Sequence, residues 1–252
     1  MNITEIFKDS FNYATKDWVK ILILGLFIIG IVILAFLTTV TAIFREVFLS
    51  VFVVIITVLY VILVALIYNG YSLSIIKDTI SGSDADLPEF DWFTNLIDGL
   101  KVLLVNIVYM IVPFIVGVVL VLIMGVSFTQ LTSSNAAILT SSMFVVNIII
   151  TILAILFTLL AMIATARLAE TGELSSIIEF EKIFEAISNI GWGNYIVWFI
   201  IFYILIILIA FVTALINFIP FIGTIIFVLI VPGFLNIFKS RAIALIYNES
   251  KG

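Results

Sequence analysis

Hydrophobic positions along this chain fall into six long runs, and the runs come in pairs behind short stretches of mixed polarity. The runs are Val19–Thr41, Phe48–Tyr71, Val102–Val126, Ser142–Ala166, Tyr195–Ile216 and Ile222–Ile243. About 20 apolar residues in helical conformation cross the hydrocarbon core of a bilayer. All six runs qualify, although Pro232-Gly233 interrupts the last. Strands of a membrane barrel would alternate apolar with polar over about ten residues. No run here alternates, so the pattern predicts six transmembrane helices and an all-α polytopic membrane protein.

The short stretches before each pair show a different period. At 100° per residue, Ile3, Ile6, Phe7, Phe11, Ala14 and Trp18 share one arc, opposite Glu5, Lys8, Asp9, Asn12, Thr15 and Lys16. Phe90, Phe93, Leu96, Ile97 and Leu100 do the same against Asp91, Thr94, Asn95 and Asp98. Phe180, Ile183, Phe184, Ile187 and Ile190 oppose Glu181, Glu185, Ser188 and Asn189, with Ser176 and Glu179 at capping-box spacing. Each stretch reads as a surface helix, lying at the headgroup level or packed on the inner ends of the spans. The chain is then one membrane domain, 1–252, built of three units at about 1–82, 83–174 and 175–252. Two-span units keep the same orientation, so an axis along the membrane normal relates them. A pseudo-threefold bundle follows, with three amphipathic helices around its cytoplasmic face.

Composition strengthens that picture. Of 252 residues 64% are hydrophobic and 11% charged, against about 25% charged in soluble domains. Mean hydropathy is +1.39. Basic residues set the orientation. With the N-terminus in the cytoplasm, Lys8, Lys16, Lys20, Lys77, Lys101, Arg167, Lys182, Lys239, Arg241 and Lys251 lie inside, and Arg45 outside. The outer loops Thr38–Val47, Ser127–Ser141 and Asn217–Phe221 are nearly uncharged, and both termini are cytoplasmic. The mixed charge of Met1 to Lys20 does not suit a cleavable signal peptide, and no lipidation motif is evident.

Chemistry is sparse. Histidine and cysteine are absent, which removes imidazole bases, thiolate nucleophiles and the usual zinc and haem ligands. The net charge of −5 argues against a nucleic-acid partner. Two groups of acids, Asp78 to Asp98 and Glu170 to Glu185, match no EF-hand loop and read as solvated surface and helix caps, with a cation or partner site as the alternative. Asp86 and Asp91 suit a helix N-terminus. No cofactor or metal is expected, and no span carries a charge near its middle, which argues against ion-coupled transport. Asn106, Asn147, Thr57, Thr151, Thr158 and Thr213 remain as intramembrane polar groups, read as glue between helices or as the lining of a polar passage. Pro113 should kink its span, Pro232-Gly233 should bend or break the last, and Pro220 sits in an outer turn. Arg167 and Arg241, at the inner ends of spans four and six, suit snorkelling toward headgroups or, with Lys239, a headgroup or phospho-ligand site.

Several short motifs carry a resemblance. They are Asn69-Gly70-Tyr71, Gly82, Leu87-Pro88-Glu89-Phe90-Asp91-Trp92-Phe93, Asp98-Gly99-Leu100-Lys101, Tyr109 and Pro113. Together they resemble the archaeal multi-pass family catalogued as domain of unknown function 4013, over nearly the whole chain. That resemblance implies an archaeal plasma-membrane protein and supplies no activity or site. The layout is also loosely similar to membrane domains attached to some bacterial glycerophosphodiester phosphodiesterases. Mitochondrial carriers share the three-pair layout, but their Pro-x-acidic-x-x-basic signature is missing after every proline here. The favoured reading is a non-enzymatic membrane protein that organises lipid or protein partners at the cytoplasmic face. The alternative is a transporter or channel for a lipidic or small uncharged solute. A water-accessible cavity lined by Asn106, Asn147 and the threonines would favour transport, and a tightly packed apolar centre would favour the organiser.

Overall fold

The computed structural model describes residues 2–82, 86–123, 136–216 and 222–251. Eight α-helices account for most of them: α1 (Ile3–Ala14), α2 (Trp18–Ile43), α3 (Val47–Ser81), α4 (Trp92–Ile123), α5 (Ala136–Thr171), α6 (Phe180–Ile190), α7 (Trp192–Ile216) and α8 (Ile222–Asn248). A 3₁₀ turn, Leu174–Ile178, precedes α6, and no strand occurs among the described residues. Six of the helices are long and apolar enough to cross a membrane. The expected outer loops 127–141 and 217–221, with Pro220, and residues Ser83 and Asp84, expected on the inner side, fall wholly or largely outside the described residues.

Local chemistry explains the breaks. The Asp17 carboxylate accepts from the backbone N–H groups of Val19 and Lys20, at 2.9 and 3.2 Å, and starts α2. Gly191, at φ +88°, separates α6 from α7, a conformation that favours glycine. No comparable break follows Leu100. The expected second surface helix is therefore not a separate element, because Trp92 to Ile123 runs as one helix. Asp91 caps it as expected, accepting from the Thr94 amide at 3.2 Å and the Thr94 hydroxyl at 2.7 Å. The expected capping box at α6 does not form. Ser176 lies inside the 3₁₀ turn and donates to the Glu173 carbonyl, and Glu179 makes no side-chain cap bond.

Packing is uneven along the bundle. At the end that carries the termini, α1 buries Ile6, Phe7, Tyr13 and Ala14, and α6 buries Ile183, Ala186, Ile187 and Ile190. Toward the other end the helices bare apolar side chains, with Phe36, Phe52 and Phe114 exposed and Phe48 at 88%. Surface of that kind is satisfied by lipid. α3 packs against α2, α4, α5 and α8, while α8 has the largest buried share of the six spans. α3 runs past the expected boundary at Tyr71 to Ser81, since Leu73, Ile75, Ile76 and Thr79 are buried and no breaker precedes Gly82.

One crossing depends on two glycines. A Cβ on Gly70 would stand 1.8 Å from the Asn95 carbonyl oxygen, and one on Gly99 2.0 Å from that of Leu66, so α3 and α4 meet backbone to backbone. Small residues permit such contact between membrane helices. Pro232 and Gly233 lie inside α8, and the helix is not broken there. α7 is the span least tied to its neighbours. It is anchored by Tyr195, Trp198 and Phe202, and the Trp198 ring stacks on Phe7 of α1 at 6.1 Å. Apolar grooves of about 740 and 590 Å³ flank it, one against α5 and one against α1.

Candidate ligand-binding cavity

The basic residues singled out in the sequence separate sharply in space. Arg241 is 5% exposed. Its Nε donates to Asp9 Oδ1 at 2.6 Å and its Nη1 to the Thr79 hydroxyl at 3.1 Å, while the guanidinium lies 4.6 Å from the centre of the Tyr13 ring. Arg167, 8% exposed, donates through Nη2 to Glu179, which also pairs with Lys182 at 3.0 Å. Both guanidiniums thus tie a span to an element at the termini-bearing end. Lys239 belongs to neither network. Among the described residues it has no hydrogen-bond partner and no carboxylate within 4 Å.

Lys239 instead lines a cavity of about 80 Å³ between α3, α4, α5 and α8. Asn69 and Ser72 enter from α3, Asn106 from α4, and Thr158 and Thr165 from α5. Lys239 and Asn106 both line this cavity and are both exposed, so the cavity opens to the outside at their side. The polar groups are not equivalent. Thr158 and Thr165 donate to the carbonyls of Ala154 and Ala161, each at 2.7 Å, and so offer only lone pairs. Ser240 donates to the Asn236 carbonyl at 2.6 Å and is hydrogen-bonded to Ser72, which directs the Ser72 proton to Ser240. Asn106 donates to the Val102 carbonyl at 3.0 Å, leaving its oxygen and second N–H uncommitted, and the Asn69 amide has no partner among the described residues. Uncommitted donors therefore come from Lys239, Asn69 and Asn106.

Asn147 stands elsewhere, exposed on α5, and does not line this cavity. Of the intramembrane threonines, Thr151 faces the groove beside α7, while Thr57 and Thr213 donate to the carbonyls four residues before them. Sequence reading missed Asn69, Ser72 and Thr165. A signal was present: Asn69, Ser72 and Ile76, like Thr158 and Thr165, recur at helical spacing on one face of an otherwise apolar span.

The acids disperse into ion pairs and caps. Glu89 meets Lys20 at 2.9 Å, Asp98 meets Lys101 at 2.6 Å, and Glu170 accepts from Tyr247 and pairs with Lys251 at 2.7 Å. Among the described residues no three converge as a metal ion would require. Hydrogen bonds from Thr94 hold the Asp91 carboxyl below the usual carboxylate range. Lys182, and then Arg167, do the same for Glu179 against a smaller opposing effect of burial.

The segment Asp86 to Trp92 is pinned by three side chains. Tyr13 donates to the Asp86 carbonyl at 3.2 Å, Lys20 to that of Leu87 at 2.7 Å, and Tyr71 to that of Pro88 at 3.1 Å. Phe90 stacks between Tyr71 and Trp92, at 4.3 and 5.1 Å. The Leu-Pro-x-Phe-Asp-x-Trp motif is thus a connector fastened to α1, α2 and α3.

Six long apolar helices, four of them lining a small polar cavity, suggest a multi-pass membrane protein. The chain belongs to the family described as Protein of unknown function (DUF4013), whose model matches residues 53–218. The match leaves out α1, α2 and α8, a shorter reach than the near-complete likeness expected from the motifs. No curated protein and no solved structure matches the chain.

Proposed function

We propose that the chain is a non-enzymatic membrane protein with both termini in the cytoplasm that binds and organises lipid at its termini-bearing end. The observation that carries this reading is the stand-off of α7, which leaves apolar grooves on either side of a span. Thr151, Ile155, Ile196, Ile200 and Ile204 contribute to one, and Phe7, Phe11, Leu205 and Ile209 to the other. Grooves of this size and polarity between membrane-spanning helices fit acyl chains. Trp18, Trp92 and Trp192 support the placement: each opens the first span of a pair and keeps 51, 46 and 43% of its surface exposed. Tryptophans at span starts mark a membrane–water interface. On this reading three two-span units surround the membrane normal, and α3, α5 and α8 each touch the helix that opens the next unit.

Transport is the second reading, favoured by the polar cavity. At about 80 Å³ the cavity has room for only a few waters or one small polar group. Lys239 in its wall also speaks against the uncharged solute first considered.

Mass spectrometry of lipid and protein, on the chain purified gently from its native membrane, tests the reading. Retention of defined lipid at fixed stoichiometry is expected. A chain that emerges with neither a retained lipid class nor a stoichiometric protein overturns the organiser reading, and a protein partner alone moves it from lipid to protein.

A further inference from the structure

The lysine that lines the cavity has no counter-ion among the described residues. An ammonium inside a membrane-spanning segment is expensive, and such groups are found paired or at sites of function. No carboxylate lines the cavity, and among the described residues none lies within ion-pair distance of Lys239; Asp9 is paired with Arg241, Glu170 with Lys251 and Tyr247, and Glu179 with Arg167 and Lys182. Around Lys239 the chain places neutral groups instead, and those with free N–H groups are the amides of Asn69 and Asn106. A site with one cation, amide donors and no acid is complementary to an anion. Water alone would solvate the ammonium but leave its charge uncompensated.

We propose that the cavity between α3, α4, α5 and α8 binds an oxyanion, a phosphate or carboxylate group, with Lys239 as its counter-ion and Asn69 and Asn106 as hydrogen-bond donors. The small volume suits a single such group rather than a whole metabolite. Two sources carry that chemistry: a free anion, or the headgroup of an anionic lipid. Thr158 lies in the wall of both the cavity and the apolar groove between α5 and α7, so an amphiphile could place its headgroup at Lys239 and a chain in the groove. The lipid source rests on the lipid-organising reading; the anion site itself does not.

The test uses the full chain in nanodiscs of phosphatidylcholine, with inorganic phosphate and phosphatidic acid as separate probes. Binding is read by native mass spectrometry and by the shift in unfolding temperature that a native-state ligand produces. One or both probes should bind wild type and raise its unfolding temperature. Lys239→Gln should weaken binding roughly tenfold or more, the equivalent of one lost charge-assisted hydrogen bond. Its unfolding temperature without ligand should stay equal or rise, since an unpaired charge has gone. Asn106→Asp supplies an internal carboxylate and should also suppress binding, whereas Lys182→Gln, at an exposed lysine, should leave it intact.

Phosphate binding identifies a free anion, and a response to phosphatidic acid alone identifies a headgroup. A wild type indifferent to both probes, or a Lys239→Gln variant that binds as well as wild type, overturns the site. The two readings fail separately. Lipid retained by a Lys239→Gln variant that also binds both probes as well as wild type removes the site and leaves the organiser. Phosphate binding by a chain that retains no lipid removes the organiser and leaves the site.

Discussion

Arg241 donates through Nε to the carboxylate of Asp9 at 2.6 Å, joining the last span to the first helix across 232 residues of sequence. The arginine side chain is 6% exposed and the aspartate 47%, so the pair lies at the edge of the core. Removing one partner of a fully buried pair costs about 3–5 kcal/mol, because the other charge is stranded. Partial solvation of Asp9, together with the remaining Thr79 bond and Tyr13 ring, lowers the expectation for Asp9→Ala to roughly 1–3 kcal/mol. Thermal unfolding in detergent measures it, and an unchanged midpoint would show that the pair contributes nothing. Asp9→Ala combined with Arg241→Met should lose less than the two single losses added together.

The α3–α4 crossing makes a sharper demand. With carbonyl oxygens 1.8 and 2.0 Å from the built Cβ positions, Gly70→Ala or Gly99→Ala must push two backbones apart. Overpacking of this kind costs about 1–3 kcal/mol. Gly193 has nothing within 4 Å of its built Cβ, so Gly193→Ala is the matched control and should be neutral or mildly stabilising. Equal stability of all three variants would mean that α3 and α4 do not cross at this depth.

The six spans were legible because a run of apolar residues is a local signal and the bilayer fixes its length. Their ends on the termini-bearing side were less so. α3 continues to Ser81 because Ile75, Ile76 and Thr79 find partners on other helices, and tertiary packing is not written in a window of sequence. The second amphipathic stretch was visible as a face, but only a helix-breaking residue would make it a separate element, and none stands between Leu100 and Val102. Residue type alone drew attention to Lys239 and Asn106. Their meeting with Asn69, Ser72 and Thr165 depends on the rotation and depth of four helices. Arg167 and Arg241 stood out at matching places in two spans, yet their carboxylate partners could not be chosen from many exposed acids. The Leu87 to Trp92 motif was recognisable as a pattern, and its reason, three side chains fastening a connector, appears only in space.

Acid should loosen the termini-bearing end. Glu179 is held below the usual carboxylate range by Lys182 and Arg167, and Asp91 by Thr94. Both groups therefore bind protons more weakly in the folded chain than in the unfolded one, and acidification favours unfolding. Their stabilisation is complete well above the ordinary values of 4.5 and 3.8, and it declines as the pH falls through the lower folded values. Unfolding midpoints measured from pH 7 downward should be level at first and then drop. Glu179→Gln should lower the neutral-pH midpoint, by stranding Arg167, and shrink the acid drop. A variant whose acid drop matched that of wild type would remove Glu179 from the account.

Orientation in the bilayer is the expectation on which the cytoplasmic reading depends, and the natural absence of cysteine makes it easy to probe. Glu46 lies exposed just after the turn between α2 and α3, and Ser175 lies exposed in the 3₁₀ turn before α6. If the basic residues set the orientation, Glu46→Cys reacts with an impermeant maleimide added to intact cells, and Ser175→Cys reacts only after the membrane is opened. Neither side chain forms part of the core, so both variants should fold. Reversal of the two patterns would place the termini and Lys182 outside, making any lipid organised there that of the outer leaflet. Labelling of both sites in intact cells would contradict the two-span pairing itself, since α3, α4 and α5 must together carry the chain from one face to the other between them.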